Sequence, residues 1–186
     1  VMALQKYSGL PENKIVGMAG ILDSSRFIYF LSEKLKIDVS KIKSFVLGGH
    51  GDTMVAMLNH TFIDGRQIKE LVNDGKISQK DLDAIIERTK KGGAEIVKYL
   101  EKGSAFYAPA AAGVEMAESY IKDLKKELPC AAYLNGEYGV KDIYAGVPVI
   151  IGKNGVEKIV EISLSSEEKE KFDKSVNAVQ DLFNTA

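Results

Sequence analysis

The chain has 186 residues, 45% of them hydrophobic, so it can bury a core and is not expected to be disordered. Its 25 basic and 26 acidic residues are intermixed and sum to a net charge of −1, which argues against the basic clusters of nucleic-acid-binding proteins. No apolar run approaches the ~18 residues of a membrane span. The single cysteine, Cys130, cannot form an internal disulfide, so we expect a reducing, cytoplasmic compartment and no membrane contact.

The first two thirds of the chain predict mainly helices. Apolar residues at helical spacing, with glycine or proline stops and serine caps, indicate helices over residues 1–8, 21–35, 67–73, 78–101 and from 108 to before Pro129. Shorter apolar or alternating runs indicate strands over residues 14–18, 44–47 and 55–62. The pair Asp64-Gly65 predicts a hairpin turn, and Gly92-Gly93 predicts an interruption of the long helix.

The final third of the chain is rich in predicted strands. They cover residues 130–134, 140–144, 147–151 and 156–162, with turns at Asn135-Gly136, Gly146 and Asn154-Gly155. Residues 165–168 (SSEE) form a capping box that begins a last helix, which runs to about residue 183. Residues 1–186 therefore predict a single domain of the α+β class, with long helices on a mainly antiparallel sheet.

One of the two histidines, His50, lies in a glycine-rich loop, GGHGDTM (residues 48–54), directly after an apolar strand. A histidine at the end of a strand, in a loop that lets a ligand approach the backbone, suits proton transfer. A buried structural histidine bonded to a carboxylate has the same pattern, so the loop alone leaves both interpretations open.

Asp23 and Arg26 stand three residues apart, on one face of the predicted helix 21–35. An aspartate bonded to one imidazole nitrogen fixes the tautomer of a histidine and raises its pKa. An arginine can hold a carboxylate through two parallel hydrogen bonds. With His50, these residues suffice to move a proton on or off the hydroxyl of a small carboxylic acid. An ordinary ion pair on a helix surface would also have this spacing.

Residues 20–27 (GILDSSRF) and 48–54 (GGHGDTM) resemble the NAD-dependent lactate/malate dehydrogenase family, and most closely its lactate-dehydrogenase-like malate dehydrogenases. Four further segments occur in the order that this family uses, so the resemblance covers essentially the whole chain. They are residues 104–111 (SAFYAPAA), 135–139 (NGEYG), 146–148 (GVP) and 152–157 (GKNGVE).

The resemblance implies a role for each candidate site residue. His50 would accept the hydroxyl proton when malate is oxidised to oxaloacetate and return it in the reverse direction, with Asp23 as its carboxylate partner. Arg26 would bind the substrate carboxylate beside the reacting carbon, and Ala105 would line the substrate pocket. A further pair, Gly49 and Pro109, would lie near the nicotinamide of the cofactor NAD.

The resemblance also implies that residues 1–186 are the C-terminal, catalytic and substrate-binding domain. The Rossmann NAD-binding domain, with its Gly-rich phosphate loop and the loop that selects the substrate, is absent from this sequence, which has no GxGxxG motif. The expected partners are this NAD-binding half, malate or oxaloacetate, and further copies of the chain in a homodimer or homotetramer.

Three alternatives stay open at this point. A lactate dehydrogenase of the same family is the first, because malate and lactate are distinguished largely by the absent loop. The second is an inactive assembly module, since helices of this half contribute to subunit contacts in the family. The third is a metal hydrolase that uses His50-x-Asp52. Two histidines and one cysteine make a thin ligand set, so no metal is expected.

Overall fold

A computed structural model describes residues 1–184 of the chain. The helices are α1 (Met2–Ser8), α2 (Gly20–Leu35), α3 (Ile68–Asn73), α4 (Gln79–Lys90), α5 (Gly92–Leu100), α6 (Tyr107–Ile121) and α7 (Ser166–Asn184). The strands are β1 (Ile42–Lys43), β2 (Val46–Gly48), β3 (Met54–Ala56), β4 (Phe62–Ile63), β5 (Arg66–Gln67), β6 (Lys126–Asn135), β7 (Lys141–Gly152) and β8 (Gly155–Ile159). The predicted α+β class is confirmed.

The strands form two antiparallel sheets. In the larger, five-stranded sheet, β6 pairs with one edge of β7, while β2 and β8 pair with the other edge and β3 pairs with β2. The smaller sheet contains β1, β4 and β5. Along residues 1–184, no helix is both long and apolar enough to cross a membrane.

Helix α2 joins the two hydrophobic cores. Near its N-terminus, Leu22 packs into the core of the large sheet, whereas Phe27 and Leu31 pack into a second core against the small sheet and α4. Burying each of these three side chains stabilises the fold by about 1.5–3 kcal/mol. The first residue of the helix, Gly20, has to be glycine because a Cβ there would lie 2.2 Å from the carbonyl oxygen of Val46 on β2. The first turn of α2 is therefore held against β2, close to the strand end from which the glycine-rich loop leaves.

Several local predictions are confirmed. The turn at Asp64-Gly65 joins β4 to β5, and both of its residues have positive φ, as the tight turns of hairpins require. At the start of α4, the backbone N–H of Asp81 donates to the hydroxyl of Ser78. At the start of α7, Ser165 and Glu168 exchange hydrogen bonds as a reciprocal capping box.

Other predictions are wrong. Residues 14–18 form only one isolated bridge, from Gly17 to Ala131, instead of a strand. The predicted strand 55–62 is interrupted by a short 3-10 turn, Leu58–His60, because the carbonyl of Met57 accepts the N–H of His60 and the hydroxyl of Thr61 instead of a ladder bond. The predicted turn at Gly146 does not exist, since β7 runs straight through it.

Candidate active site

The loop from β2 to β3 carries His50. Gly48 and Gly51, which flank it, have φ values of +83° and +72°, a backbone conformation that other residues adopt only with strain. A short 3-10 turn over Gly51–Thr53 then leads into β3. The loop therefore reverses tightly and leaves the side chain of His50 half-exposed, at 50% of its full accessibility.

His50 and Asp23 form a hydrogen-bonded pair. The imidazole Nδ1 lies 2.8 Å from Oδ2 of Asp23, which is fully buried in the first turn of α2. An ionised carboxylate only accepts hydrogen bonds, so Nδ1 carries a proton and Nε2 becomes the nitrogen that gains and loses one. The hydrogen bond to Asp23 raises the pKa of His50 above 6.5, although burial and the nearby Arg26 act in the opposite direction. This arrangement suits a base that works near neutral pH.

Arg26 lies beside this pair on the same helix. Its Nη1 is 3.9 Å from Oδ1 of Asp23, an ion pair that is too long for a hydrogen bond. Only 11% of the Arg26 side chain is exposed. That Oδ1 is itself buried and has no hydrogen-bond partner among the described residues. The guanidinium is thus shielded from solvent but makes no full hydrogen bond to Asp23. Its donors can therefore bind a second carboxylate.

The N-terminus of α5 packs against the guanidinium of Arg26. A Cβ on the buried Gly92 would lie 3.0 Å from Cδ and 3.3 Å from Nε of Arg26. A Cβ on the next residue, Gly93, would come no closer than 3.9 Å to the guanidinium. Arg26 also lines a cavity of about 440 Å³ between α2, α5 and α6. Gly92 thereby defines where the arginine side chain can lie.

Replacement Gly92→Ala is therefore expected to displace Arg26 by a few tenths of an ångström. The expected loss in kcat/KM for a carboxylate substrate is about tenfold, below the hundredfold that a 1 Å misplacement costs. The matched control is Gly93→Ala, which adds the same methyl group in the same helical turn at ordinary contact distance. Steady-state kinetics of the two variants check this, and equal losses in both would contradict a role for Gly92.

A second cavity, of about 430 Å³, opens beside His50. Its walls contain many small residues of the large sheet and its loops, namely Gly17, Gly48, Gly49, Ala131, Ala145 and Gly146. The α1 residues Lys6 and Tyr7 line its other side. Small walls let a flat ring approach the imidazole, so this cavity fits the nicotinamide end of a dinucleotide. Lys6 is the only lysine or arginine among its lining residues, which is too little positive charge for the phosphates.

The structure brings together four of the six predicted site residues. His50, Asp23 and Arg26 form one cluster, and Gly49 lines the cavity beside His50. Ala105 is half-buried between α5 and α6, and Pro109 is half-buried in the first turn of α6. Neither residue lines the cavity beside His50 or the one beside Arg26. Their roles therefore stay predictions.

The alternative of a metal site at His50-x-Asp52 gains no ligands. Asp52 is exposed in the 3-10 turn, whereas His50 is bonded to Asp23. Among residues 1–184, no group of three or more His, Cys, Asp or Glu side chains is placed to hold a metal ion. Burial raises the pKa of Cys130 to about 12, so its thiol stays protonated and unreactive near neutral pH.

The pH dependence of the His50–Asp23 pair follows from the raised pKa of His50. A raised pKa in the folded state means that the attraction contributes to stability fully below about pH 6.5 and is lost as the pH rises through the raised value. In Asp23→Asn, the attraction of the charged carboxylate is lost while burial and Arg26 still act against the imidazolium, so the pKa of His50 is expected to fall. An NMR titration of the imidazole measures both values. An unchanged pKa in the variant would contradict the pairing.

Comparison with known proteins agrees with this architecture. The family model of the lactate/malate dehydrogenase, alpha/beta C-terminal domain, matches residues 21–186. The chain belongs to the lactate/malate dehydrogenase family. Malate dehydrogenase from Pelagibacter ubique (strain HTCC1062) is 62% identical over all 186 residues, which span 58% of that protein. The expected resemblance to this family is thus confirmed.

Solved structures of the lactate/malate dehydrogenase family share the fold. Malate dehydrogenase from Cryptosporidium parvum is 46% identical with a TM-score of 0.94, over 97% of this chain and 58% of that one. Lactate dehydrogenase from the same organism, complexed with lactic acid and nicotinamide adenine dinucleotide, is 43% identical with a TM-score of 0.97, over 100% of this chain and 58% of that one. The chain therefore spans a little over half the length of these relatives.

Two residues that support the candidate site of this dehydrogenase-family chain were not identified from the sequence. Ser24 accepts a hydrogen bond from the backbone N–H of Val46 at 2.9 Å and so fixes α2 to β2. Ser24 directly follows Asp23 in the motif GILDSSRF (residues 20–27), so its position could have indicated this role. Ser175 on α7 accepts a hydrogen bond from the backbone N–H of Gly49 in the His50 loop. These two residues are 126 positions apart in the sequence. No local pattern in α7 indicates this contact.

Proposed function

We propose that this chain is the catalytic half of an NAD-dependent malate dehydrogenase, which interconverts malate and oxaloacetate. The observation that carries the proposal is the hydrogen bond between His50 and the buried Asp23, with Arg26 one helical turn away. A base, its carboxylate partner and a shielded guanidinium are the groups that oxidation of a 2-hydroxy acid requires from a protein.

His50 acts on the substrate hydroxyl. During oxidation, Nε2 of the neutral imidazole accepts the hydroxyl proton, and Asp23 stabilises the imidazolium that forms. During reduction, the protonated imidazole returns that proton to the carbonyl oxygen. The raised pKa of His50 favours the imidazolium, the form that returns the proton during reduction. Proton transfer of this kind accelerates a reaction by about 10²–10⁴-fold.

Arg26 orients the substrate. Its planar guanidinium can donate two parallel hydrogen bonds to the carboxylate beside the reacting carbon, which fixes both distance and angle. Ala105 would line the substrate pocket around the remaining substituent. Because Asp23 and Arg26 share one helix face, a carboxylate bound to Arg26 would place the adjacent hydroxyl near the imidazole of His50.

NAD would supply the hydride acceptor for malate oxidation and the hydride donor for the reverse reaction. Gly49, in the small-walled cavity beside His50, and Pro109 would hold its nicotinamide end. The phosphates and the adenosine would bind to a separate NAD-binding half of the kind that the longer relatives have room for. In this proposal, residues 1–186 hold the proton-transfer and carboxylate-binding groups, and the partner half holds the rest of the cofactor.

A lactate dehydrogenase is the second candidate. It is favoured by the lactate dehydrogenase from Cryptosporidium parvum, which superposes with a TM-score of 0.97. Malate is preferred because the relative at 62% identity is a malate dehydrogenase.

Exposed apolar side chains such as Val114 and Ile121 on α6 support assembly into a homodimer or homotetramer. An inactive fragment would also retain this role in assembly.

Oxidation of NADH with oxaloacetate or pyruvate tests the proposal. The assay compares the 186-residue chain with the same chain joined to the NAD-binding half of a malate dehydrogenase. The joined protein is expected to reduce oxaloacetate faster than pyruvate, and the chain alone is expected to reduce neither. A preference for pyruvate would support the lactate candidate. Turnover by the chain alone would contradict the need for the second half, and a folded, inactive joined protein would contradict both dehydrogenase candidates.

A further inference from the structure

The hydroxyl of Ser175 joins the two sides of the His50 loop. Ser175 lies in α7 and is only 3% exposed. Its Oγ accepts the backbone N–H of Gly49 at 2.7 Å and donates to the backbone carbonyl of Thr53 at 2.5 Å. One side chain from the C-terminal helix thus bonds to the residue before His50 and to a residue three positions after it.

The loop lies directly against α7 at this point. A Cβ on Gly48 would lie 2.4 Å from Oγ and 2.9 Å from Cβ of Ser175, so only glycine allows this approach. One helical turn further, Val179 Cγ2 would be 3.3 Å from a Cβ on Gly49. Helix α7 and the loop are therefore packed with little room for either to shift.

Helix α7 is itself rigidly anchored. Phe172, one turn before Ser175, is fully buried in the core of the large sheet and contacts the ring of Tyr138. At the N-terminal end of the helix, the carboxylate of Glu168 accepts hydrogen bonds from the backbone and side-chain N–H groups of Asn59, beyond β3. The contacts of Ser175 therefore transmit the position of a fixed element to the loop.

The imidazole of His50 has few constraints of its own. Half of the side chain is exposed, and its hydrogen bond to Asp23 is made by Nδ1 alone. The charged and titratable groups around it are Asp23 and Arg26 on α2, Lys6 and Tyr7 on α1, and Tyr144 on β7. Because the side chain is so weakly enclosed, the backbone of the loop decides how far the ring lies from Asp23.

We propose that Ser175 is a positioning residue, which holds the backbone of residues 49–53 so that His50 stays in hydrogen-bond contact with Asp23. It touches no reacting atom and acts only through the loop. The kinetic part of this inference rests on the proposed function, whereas the geometric part does not. A loop that relaxes away from α7 lengthens the Nδ1–Oδ2 distance, and misplacement by 1 Å costs a catalytic group about a hundredfold in rate.

Ser175→Ala tests the inference against a matched control, Ser119→Ala. Ser119 is equally buried, and its Oγ donates to the carbonyl of Ile151 at 2.7 Å and accepts the N–H of Lys126 at 3.1 Å. Both replacements thus remove one buried hydroxyl that bridges two backbone groups, but the bonds of Ser119 join α6 to the start of β6 and the end of β7. In the protein joined to its NAD-binding half, Ser175→Ala is expected to lower kcat by about 10- to 100-fold with little change in KM.

The pKa of His50 provides the readout that a merely structural role would not change. By NMR titration of the 186-residue chain, it is expected to fall in Ser175→Ala and to stay unchanged in Ser119→Ala, at similar losses of Tm. Equal effects of the two replacements on kcat and on the pKa would overturn the inference. If His50→Gln also remained active, the proposed function would fail separately, and the titration would still decide the geometric part.

Amide hydrogen exchange covers the case in which Ser175→Ala does not fold. In the unmodified chain, the N–H of Gly49 is expected to exchange far more slowly than in the unfolded chain, because the buried Ser175 accepts its hydrogen bond. Exchange at the rate of the unfolded chain would overturn the inference without any substitution.

Discussion

Replacing His50 with Gln is expected to lower kcat about a thousandfold in the protein joined to its NAD-binding half, within the range of 10²–10⁴ for proton transfer. Gln can still donate a hydrogen bond to Asp23, so the loop should keep its shape, but an amide neither accepts nor releases a proton near neutral pH. KM for oxaloacetate and the affinity for NADH should change little. Rapid-mixing kinetics at saturating substrate measure the chemical step directly.

The control for this replacement is His60→Gln. His60 is the other histidine, and its Nε2 donates to the backbone carbonyl of Ser163, a contact that takes no part in the site. The activity of His60→Gln should stay within about twofold of the unmodified protein, as expected for a surface replacement. Near-normal turnover in His50→Gln would refute the assignment of proton transfer to this residue.

Arg26→Lys is expected to lower kcat/KM for oxaloacetate about a hundredfold, because an ammonium group cannot donate two parallel hydrogen bonds to a carboxylate. Lysine keeps the Cδ that lies nearest to Gly92 but lacks the planar guanidinium beyond it. Most of the loss should come from weaker binding of the substrate, seen as a higher KM, and from poorer orientation of the bound substrate. The pKa of His50 in the free protein should change little. Steady-state kinetics with oxaloacetate measure the effect.

Arg88→Lys serves as the matched control for Arg26→Lys. Arg88 lines the same cavity of about 440 Å³, but its side chain is 48% exposed and is bonded to the carboxylate of Glu95. The expected change in kcat/KM is less than about twofold, since exposed ion pairs contribute little. Equal losses in the two variants would mean that Arg26 acts through the cavity wall rather than on the substrate.

The cluster at the centre of the site was predictable because its members lie in two short motifs. Spacing placed Asp23 and Arg26 on one helix face, and the family resemblance joined them to His50. The hydrogen bond of 2.8 Å between His50 and Asp23 agrees with that expectation. The close contact between Gly92 and Arg26 was not predictable, because a glycine pair within a helical pattern indicates only an interruption.

Gly146 shows why some strand boundaries could not be predicted. Glycine between two apolar runs usually marks a turn, so residues 140–151 were expected to form two strands. In the structure, β7 continues through Gly146, and a Cβ there would lie 2.4 Å from the carbonyl oxygen of Gly48. The glycine allows β2 to approach β7. Such a requirement comes from a distant segment and leaves no local signal.

The buried carboxylate of Asp23 lowers the stability of the fold, although the proposed proton transfer depends on it. Its Oδ1 is shielded from water and has no hydrogen bond within residues 1–184, and such burial of a charged group lowers the stability of a fold. Apolar residues at positions of this kind are often neutral or stabilising. Selection of this chain for thermal resistance alone would therefore favour replacement of the buried Asp23 together with its charged partners by apolar residues, so directed evolution of a more stable variant needs a screen for activity at every round.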